Sequence, residues 1–268
     1  MPRTRLDVLL VERGLFESRA RAAAAVLAGD VLLLPGRVRA SKPGQMISAD
    51  AELEVAQALP YVSRGGVKLA NALDSFGLDV AGTSALDVGA STGGFTDCLL
   101  QRGASHVVAL DVAYGELSWK LREDERVTVI ERHNARMLTP AELPYAPGLI
   151  VMDLSFISLT KVLPAVLACA AGRYDCLAMV KPQFEVGRER VGKGGVVRDP
   201  LIRRDALLAV GGSALDLGAA VMGYAGSGLP GPKGNRETFV WLAEAGRAGA
   251  LGDLDAAAAV AEPPAVDS

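Results

Sequence analysis

Cysteine and histidine are nearly missing from this chain, with three and two among 268 residues. Cys98, Cys169 and Cys176 have no metal-like spacing, and an odd count does not build a disulfide framework. His106 opens an apolar run and His133 lies in a polar stretch; with no third ligand nearby, no metal is expected. Apolar residues make up 50% of the chain, yet no run reaches the roughly 18 that a membrane span needs. The longest, Val162 to Ala171, is too short. A secretory leader is not expected either, because Glu12 and Arg13 interrupt the apolar Leu9-Leu10-Val11. A disulfide-stapled secreted domain and a membrane protein are thereby disfavoured. What remains is a cytoplasmic protein with enough apolar residues for a substantial core and length for one large domain plus a small one.

Net charge is also slight, −3, but unevenly spread. Residues 244–268 hold Glu244, Asp253, Asp255, Glu262 and Asp267 against Arg247 alone, so the remainder is close to neutral. Residues 1–45 are basic: Arg3, Arg5, Arg13, Arg19, Arg21, Arg37, Arg39 and Lys42 outnumber four acids. A basic surface on a neutral body suits an anionic partner such as RNA. Charge alone fits a merely solvated face as well.

The most informative segment runs from Asp87 to Thr96. An apolar run (Ala85, Leu86) leads through Gly89-Ala90-Ser91-Thr92-Gly93-Gly94-Phe95-Thr96 into a helix-like Asp97-Cys98-Leu99-Leu100. Such a strand–turn–helix brings backbone N–H groups close to a polar ligand. A second run, His106 to Leu110, ends on Asp111, and an acid about 20 residues past the turn commonly binds a ribose hydroxyl pair. The dinucleotide fingerprint requires G-x-G-x-x-G, whereas Ser91 stands here in place of the second glycine. S-adenosylmethionine fits this turn better than NAD; an ordinary strand–helix turn is the alternative.

Strand and helix patterns continue to alternate, which predicts an α/β, doubly wound Rossmann-like domain behind a small α+β domain. Strands are expected at Val127 to Ile130, Leu149 to Met152, Cys176 to Val180 and Thr238 to Leu242, with helices over Ser158 to Ala171 and Leu201 to Leu217. Asp153 and Lys181 fall just after strands, where such sheets bind ligands. Phe156 and Trp241 are expected in the core. In the amino-terminal part, two short helices (Leu6 to Val11, Arg21 to Leu27) precede strands at Val31 to Leu34 and Glu52 to Val55. Pro60 breaks the pattern. The expected organisation is a small domain over 1–58, a linker over 59–62, a large domain over 63–243 and a frayed alanine-rich tail over 244–268.

Two resemblances sharpen this picture. Residues 3–56, with Arg5-Leu6-Asp7, Glu17-Ser18-Arg19-Ala20 and Gly29-Asp30-Val31, resemble the RNA-binding module shared by a ribosomal small-subunit protein, pseudouridine synthases and tyrosyl-tRNA synthetases. They depart from it at Leu32-Leu33-Leu34-Pro35-Gly36. Six motifs in order closely resemble the TlyA family of ribosomal RNA 2′-O-methyltransferases, whose older label is haemolysin. They are Ser63-Arg64-Gly65-Gly66-Val67-Lys68-Leu69, the turn Gly89 to Thr96, Asp153 to Leu159, Val180 to Gly187, Gly194-Gly195-Val196-Val197 and Gly234-Asn235-Arg236-Glu237. The resemblance implies an FtsJ-like methyltransferase fold that uses S-adenosylmethionine. It further implies methylation of cytidine ribose in 16S and/or 23S ribosomal RNA within ribosomal subunits, and a catalytic set of Lys68, Asp153, Lys181 and Glu237.

A ribose hydroxyl must lose its proton as it attacks a sulfonium methyl group, which calls for a base and for cations beside the developing alkoxide. Lys181 is expected as the base and Asp153 as its orienting partner, with Lys68 and Glu237 positioning the ribose. The cofactor is expected to touch Gly89, Ala90, Ser91, Thr92, Gly93, Gly94, Phe95, Thr96, Asp111, Val112, Asn134, Ala135 and Asp153. RNA phosphates are assigned to Arg5, Arg19, Lys42, Arg64, Arg132, Arg136 and Arg188. An RNA-binding protein with a vestigial cofactor fold, a membrane-lytic protein and a dehydrogenase are the rival classes. The four polar residues, the lack of a strongly amphipathic cationic segment and Ser91 argue against them in turn.

Overall fold

The computed structural model describes residues 3–55, 60–231 and 233–262, with side chains throughout except at Ala28. They divide into two compact units, Met1–Leu59 and Pro60–Ser268. Positions 56–59, where the first boundary and the start of the linker were expected, lie outside the described residues.

The first unit strings together β1 (Arg3–Arg5), α1 (Leu6–Glu12), α2 (Arg19–Ala28), β2 (Val31–Leu33), β3 (Val38–Arg39), β4 (Met46–Ser48) and β5 (Leu53–Val55). β1 pairs with β4, and a small antiparallel sheet has the order β3-β2-β5. Leu6, Leu9 and Leu10 repeat at helical spacing and pack with Ala22, Val26, Val31 and Ile47. α2 starts where Ser18 accepts a hydrogen bond from the Arg21 amide and stops at Gly29, whose φ of 80° is left-handed. Asp7 is buried beneath two arginines: Arg5 donates to both its carboxylate oxygens at 3.0 Å, and Arg19 donates at 2.9 Å. The Arg5 hydrogen bond, then Arg19, holds that carboxyl far below its usual range. Arg5 and Arg19 therefore have a structural task inside the unit, which the reading of them as plain phosphate contacts did not include.

In the second unit come α3 (Arg64–Phe76), β6 (Ser84–Val88), α4 (Gly94–Gln101), β7 (His106–Leu110), α5 (Trp119–Arg122), β8 (Val127–Ile130), β9 (Leu149–Met152), α6 (Leu163–Leu167), β10 (Asp175–Val180), α7 (Pro182–Glu185), α8 (Pro200–Asp216), β11 (Ala220–Gly226), β12 (Thr238–Ala243) and α9 (Leu254–Ala261). One seven-stranded sheet has the order β11-β12-β10-β9-β6-β7-β8. β10, β9, β6, β7 and β8 run parallel, while β12 lies antiparallel between β10 and β11. Apolar clusters pack on the sheet, one around Leu86, Ile150 and Val240, the other around Leu69, Leu99 and Phe239. Such burial explains why the parallel strands read as continuous apolar runs. Strand order reverses between β6 and β9, so a crevice opens there at the carboxyl ends of the strands.

Three expectations are corrected. Tyr61 and Val62 are no free linker: both pack on the second unit, and the Val62 amide donates to Asp97 at 2.8 Å. The expected helix over 158–171 is only a 3₁₀ turn at Leu159–Lys161 followed by α6, because Pro164 suits a first helical turn and no later position. The expected frayed tail is ordered from 244 to 262. Asp253 caps α9 by accepting from the Ala256 amide at 3.0 Å, and Ala258 and Glu262 are buried. Alanine richness was mistaken for lack of a core-facing side; small residues let α9 pack closely on α8 and β11.

Candidate active site

Register brings the chemistry together. Val88 lies opposite Leu110 on one side and Met152 on the other, so Gly89, Asp111 and Asp153 emerge side by side. Val180 lies opposite Thr238, and because β12 is antiparallel, Glu237 precedes its strand where Lys181 follows β10. No sequence spacing announces that second coincidence.

Two adjoining clefts open at this edge. The first, about 480 Å³, is lined by Gly89, Ser91, Asp111, Val112, Asn134 and Ala135, among others. That volume suits a nucleoside-sized ligand. Asp111 accepts from the Ser91 amide at 2.7 Å and the Ala113 amide at 2.8 Å, one on each carboxylate oxygen, which fixes its rotamer and leaves lone pairs for hydroxyl groups. Gly89 has φ +88°, and a Cβ there would stand 2.5 Å from the Asp153 carbonyl oxygen. Only glycine fits that crossing of β6 and β9.

The second cleft, about 1110 Å³, is edged by the cations Arg136, Lys161, Lys181, Arg188 and Lys233, with Glu237 as its carboxylate. Ser155, Phe156 and Ile157 form a wall common to both clefts. At this seam Lys181 Nζ lies 2.5 Å from Asp153 Oδ1 and donates to Ser155 Oγ at 3.1 Å. Glu185, one turn beyond Lys181, accepts from Ser158 Oγ at 2.6 Å and the Leu159 amide at 2.9 Å, so the wall and the lysine are tied together. Burial pushes the Glu185 carboxyl up. Lys68 reaches from α3 to pair with Glu237, both almost fully buried. α3 is itself set by Ser63 at its start and by Gly77, φ 64°, at its end. Glu237 Oε1 is buried without a hydrogen-bond partner among the described residues, an acceptor beside the cleft.

A model of FtsJ-like methyltransferases matches residues 61–244. The 16S/23S rRNA (cytidine-2′-O)-methyltransferase TlyA of Mycobacterium tuberculosis is 51% identical over 244 residues, 90% of each chain. The chain belongs to the TlyA family of FtsJ-like methyltransferases. Hemolysin A of Brachyspira hyodysenteriae is 40% identical over 87% of this chain and 97% of its own. A solved hemolysin-named structure from Streptococcus thermophilus is 40% identical, with a TM-score of 0.73 covering 97% of this chain and 96% of that one.

Within this methyltransferase, the four expected catalytic residues form two ion pairs at one end of the sheet. The glycine turn divides between the cleft and the core. Gly89 and Ser91 line the first cleft, but Gly93, Gly94, Phe95 and Thr96 are buried and line neither cleft, as does Ala90. Thr92 is exposed but also borders neither. A Cβ at Gly93, φ +95°, would run into Leu117 and Leu121, so this glycine serves packing. The start of α4 offers fewer free donors than expected, because Asp87 accepts from the Thr96 amide at 2.9 Å and its hydroxyl at 2.7 Å. Arg136 and Arg188 border the second cleft; Arg132 lies 4.1 Å over the Tyr114 ring, and Arg64 is exposed on the first turn of α3. Lys161, Lys233 and Gln183 line the second cleft although the sequence did not single them out. Proximity to the quoted motifs was the one available signal. Trp241 packs on Phe76 and donates to Asp175 at 2.8 Å, as a core residue would. Phe156 does not: it is 91% exposed, with φ +66°, beside Phe184 at 5.3 Å. The wall common to the clefts turns it outward, and such a conformation costs on the order of 1–3 kcal/mol.

Asp87 gives a stability prediction. It is wholly buried, and burial pushes its carboxyl up to about 7, opposed by the Thr96 hydrogen bonds and aided by Asp153 and Asp111. A carboxyl raised in the folded state contributes stability at low pH, below its unfolded value near 4, and loses it as pH climbs to about 7. Thermal unfolding of Asp87→Asn should lack that component: relative to the wild type it gains stability as pH rises from 4 to 8. Parallel pH curves for the two proteins would rule this out.

Proposed function

We propose that this enzyme transfers a methyl group from S-adenosylmethionine to the 2′-hydroxyl of a cytidine ribose in ribosomal RNA, acting on ribosomal subunits in the cytoplasm. The observation that carries the proposal is the Lys181–Asp153 pair at the seam of two clefts, one nucleoside-sized and one edged by cations. A relative named for that reaction is 51% identical to this chain over 244 residues.

The first cleft fits the methyl donor. Asp111 has lone pairs free for ribose hydroxyls, Val112, Asn134 and Ala135 offer a small mixed wall for an adenine, and the crossing at Gly89 has no room for a side chain. The bound donor would supply an electrophilic methyl group. Everything else falls to the protein. Lys181, as the neutral amine after giving up one proton to solvent in the open cleft, accepts the proton of the ribose hydroxyl, with Asp153 and Ser155 fixing its Nζ. Lys68 holds the Glu237 carboxylate, whose free Oε1 receives a ribose hydroxyl. Arg136, Lys161, Arg188 and Lys233 counter the flanking phosphates. Phe156, kept outward in a strained conformation, gives the target base a face to stack on.

Incubation of unmethylated ribosomal subunits with the protein and labelled donor, followed by mass-spectrometric mapping, tests the proposal. The label should appear on a cytidine ribose. Label on a base, or none on RNA, would refute it. The amino-terminal unit is proposed to dock on RNA phosphates. Lys42 is exposed and lacks the structural duty of Arg5 and Arg19, so it is the cleaner probe. Lys42→Ala should reduce the slope of log affinity against log salt by about 0.7–0.9. An unchanged slope would remove Lys42 from the interface.

A further inference from the structure

The family match ends at residue 244, and the ordered segment that follows is not idle. Glu262, at the end of α9, is 2% exposed, and Arg203 of α8 is 6% exposed. Arg203 Nε donates to Glu262 Oε2 at 2.8 Å. The same guanidinium donates from Nη1 to the Arg198 carbonyl at 2.5 Å and, longer, to the Val197 carbonyl at 3.4 Å. Arg204 donates to the Glu262 carbonyl at 3.1 Å. Glu262 Oε1 in turn accepts from Thr238 Oγ1 at 3.2 Å, and Thr238 follows Glu237 directly.

These contacts converge on the loop after α7, which supplies Gly187, Arg188, Val191, Gly192 and Gly195 to the second cleft. Asn235 holds that loop from the other side. Its Oδ1 accepts from the Val197 amide at 2.9 Å, and its Nδ2 donates to the Gly195 carbonyl at 2.8 Å. An exposed pair, Arg190 with Asp205, also tethers the loop, but a solvated pair contributes little. The loop has few apolar anchors, Val197 being its buried one, so ordering it falls to buried polar contacts.

We propose that Arg203 and Glu262 are positioning residues for methyl transfer. The carboxy-terminal helix, through this buried pair, sets the loop of the RNA-side cleft and the strand end that presents Glu237. Burying both charges is costly, and apolar residues of similar volume would be as stable or more so. What the pair supplies is direction: a guanidinium reaches the carboxylate and two loop carbonyls at once, which leucine or methionine cannot do. The inference rests on the proposed function for its activity readout, but not for its structural one.

The test compares full-length wild type, Glu262→Gln and the double variant Arg203→Met/Glu262→Leu. Measured are thermal stability, calorimetric affinity for S-adenosylmethionine, kcat and KM with ribosomal subunits, and amide hydrogen exchange over residues 187–198. In both variants exchange in the loop should rise, and kcat/KM for RNA should fall about 10- to 100-fold, the scale of a misplacement near 1 Å. Donor affinity should stay near wild type. The double variant should melt at or above Glu262→Gln while remaining as inactive. A folded double variant with wild-type loop exchange and wild-type kcat/KM would overturn the proposal. So would activity that recovers together with melting temperature, since the pair would then serve stability alone. If the wild type fails to methylate RNA at all, the function proposed above fails, while raised loop exchange in the variants still upholds the clamp.

Discussion

Lys181→Ala is expected to lower single-turnover methyl transfer by about 10²–10⁴-fold, the usual contribution of a positioned general base. Affinity for the methyl donor should be nearly unchanged, because Lys181 borders the second cleft and not the first. Lys181→Arg separates two explanations of such a loss. A guanidinium keeps a cation beside Asp153 and Ser155 but does not give up a proton in a protein. If Lys181 is the base, the arginine variant should be as inactive as alanine. Near-normal turnover by Lys181→Ala would end that assignment, and restoration by arginine would show that a cation alone is needed. Asp153 is a less clean probe, since it borders the donor cleft as well as pairing with Lys181.

The second large effect concerns the pair between Lys68 and Glu237. Removing one member leaves the other charge buried without compensation, at a cost of about 3–5 kcal/mol. Lys68→Ala and Glu237→Ala should therefore each lose stability on that scale in urea unfolding, together with activity. The double alanine variant should lose clearly less than the sum of the two, because it leaves no orphaned charge. All three should be inactive if Glu237 receives the ribose. Additive losses in the double variant would mean that the two groups are not paired in solution. A folded, active Glu237→Ala protein would show that its free carboxylate oxygen has no part in the reaction.

These predictions depend on contacts that the sequence disclosed unevenly. The alternation of apolar runs with amphipathic stretches was enough for the α/β class, because buried parallel strands need side chains that are apolar on both faces. Polar residues closing those runs, namely Asp111, Asp153 and Lys181, were legible for the same reason: a strand's carboxyl end is where an α/β sheet meets its ligand. Lys68 and Glu237 were named only by resemblance to a family. Nothing local marks a helix lysine or a carboxylate before a strand as buried.

Local sequence determined the parallel strands around the crevice and the basic character of the first unit. It did so because apolar periodicity and composition are short-range matters, set within one or two turns of chain. Only the tertiary structure decided which residues of the glycine turn line a cleft, that Phe156 points outward, and that Arg5 and Arg19 serve Asp7. It also decided that an alanine-rich segment ends on a buried carboxylate bound to Arg203, 59 residues earlier. Each of these depends on what another part of the chain brings to within about 3 Å, the reach of a hydrogen bond, and a sequence pattern carries no record of that.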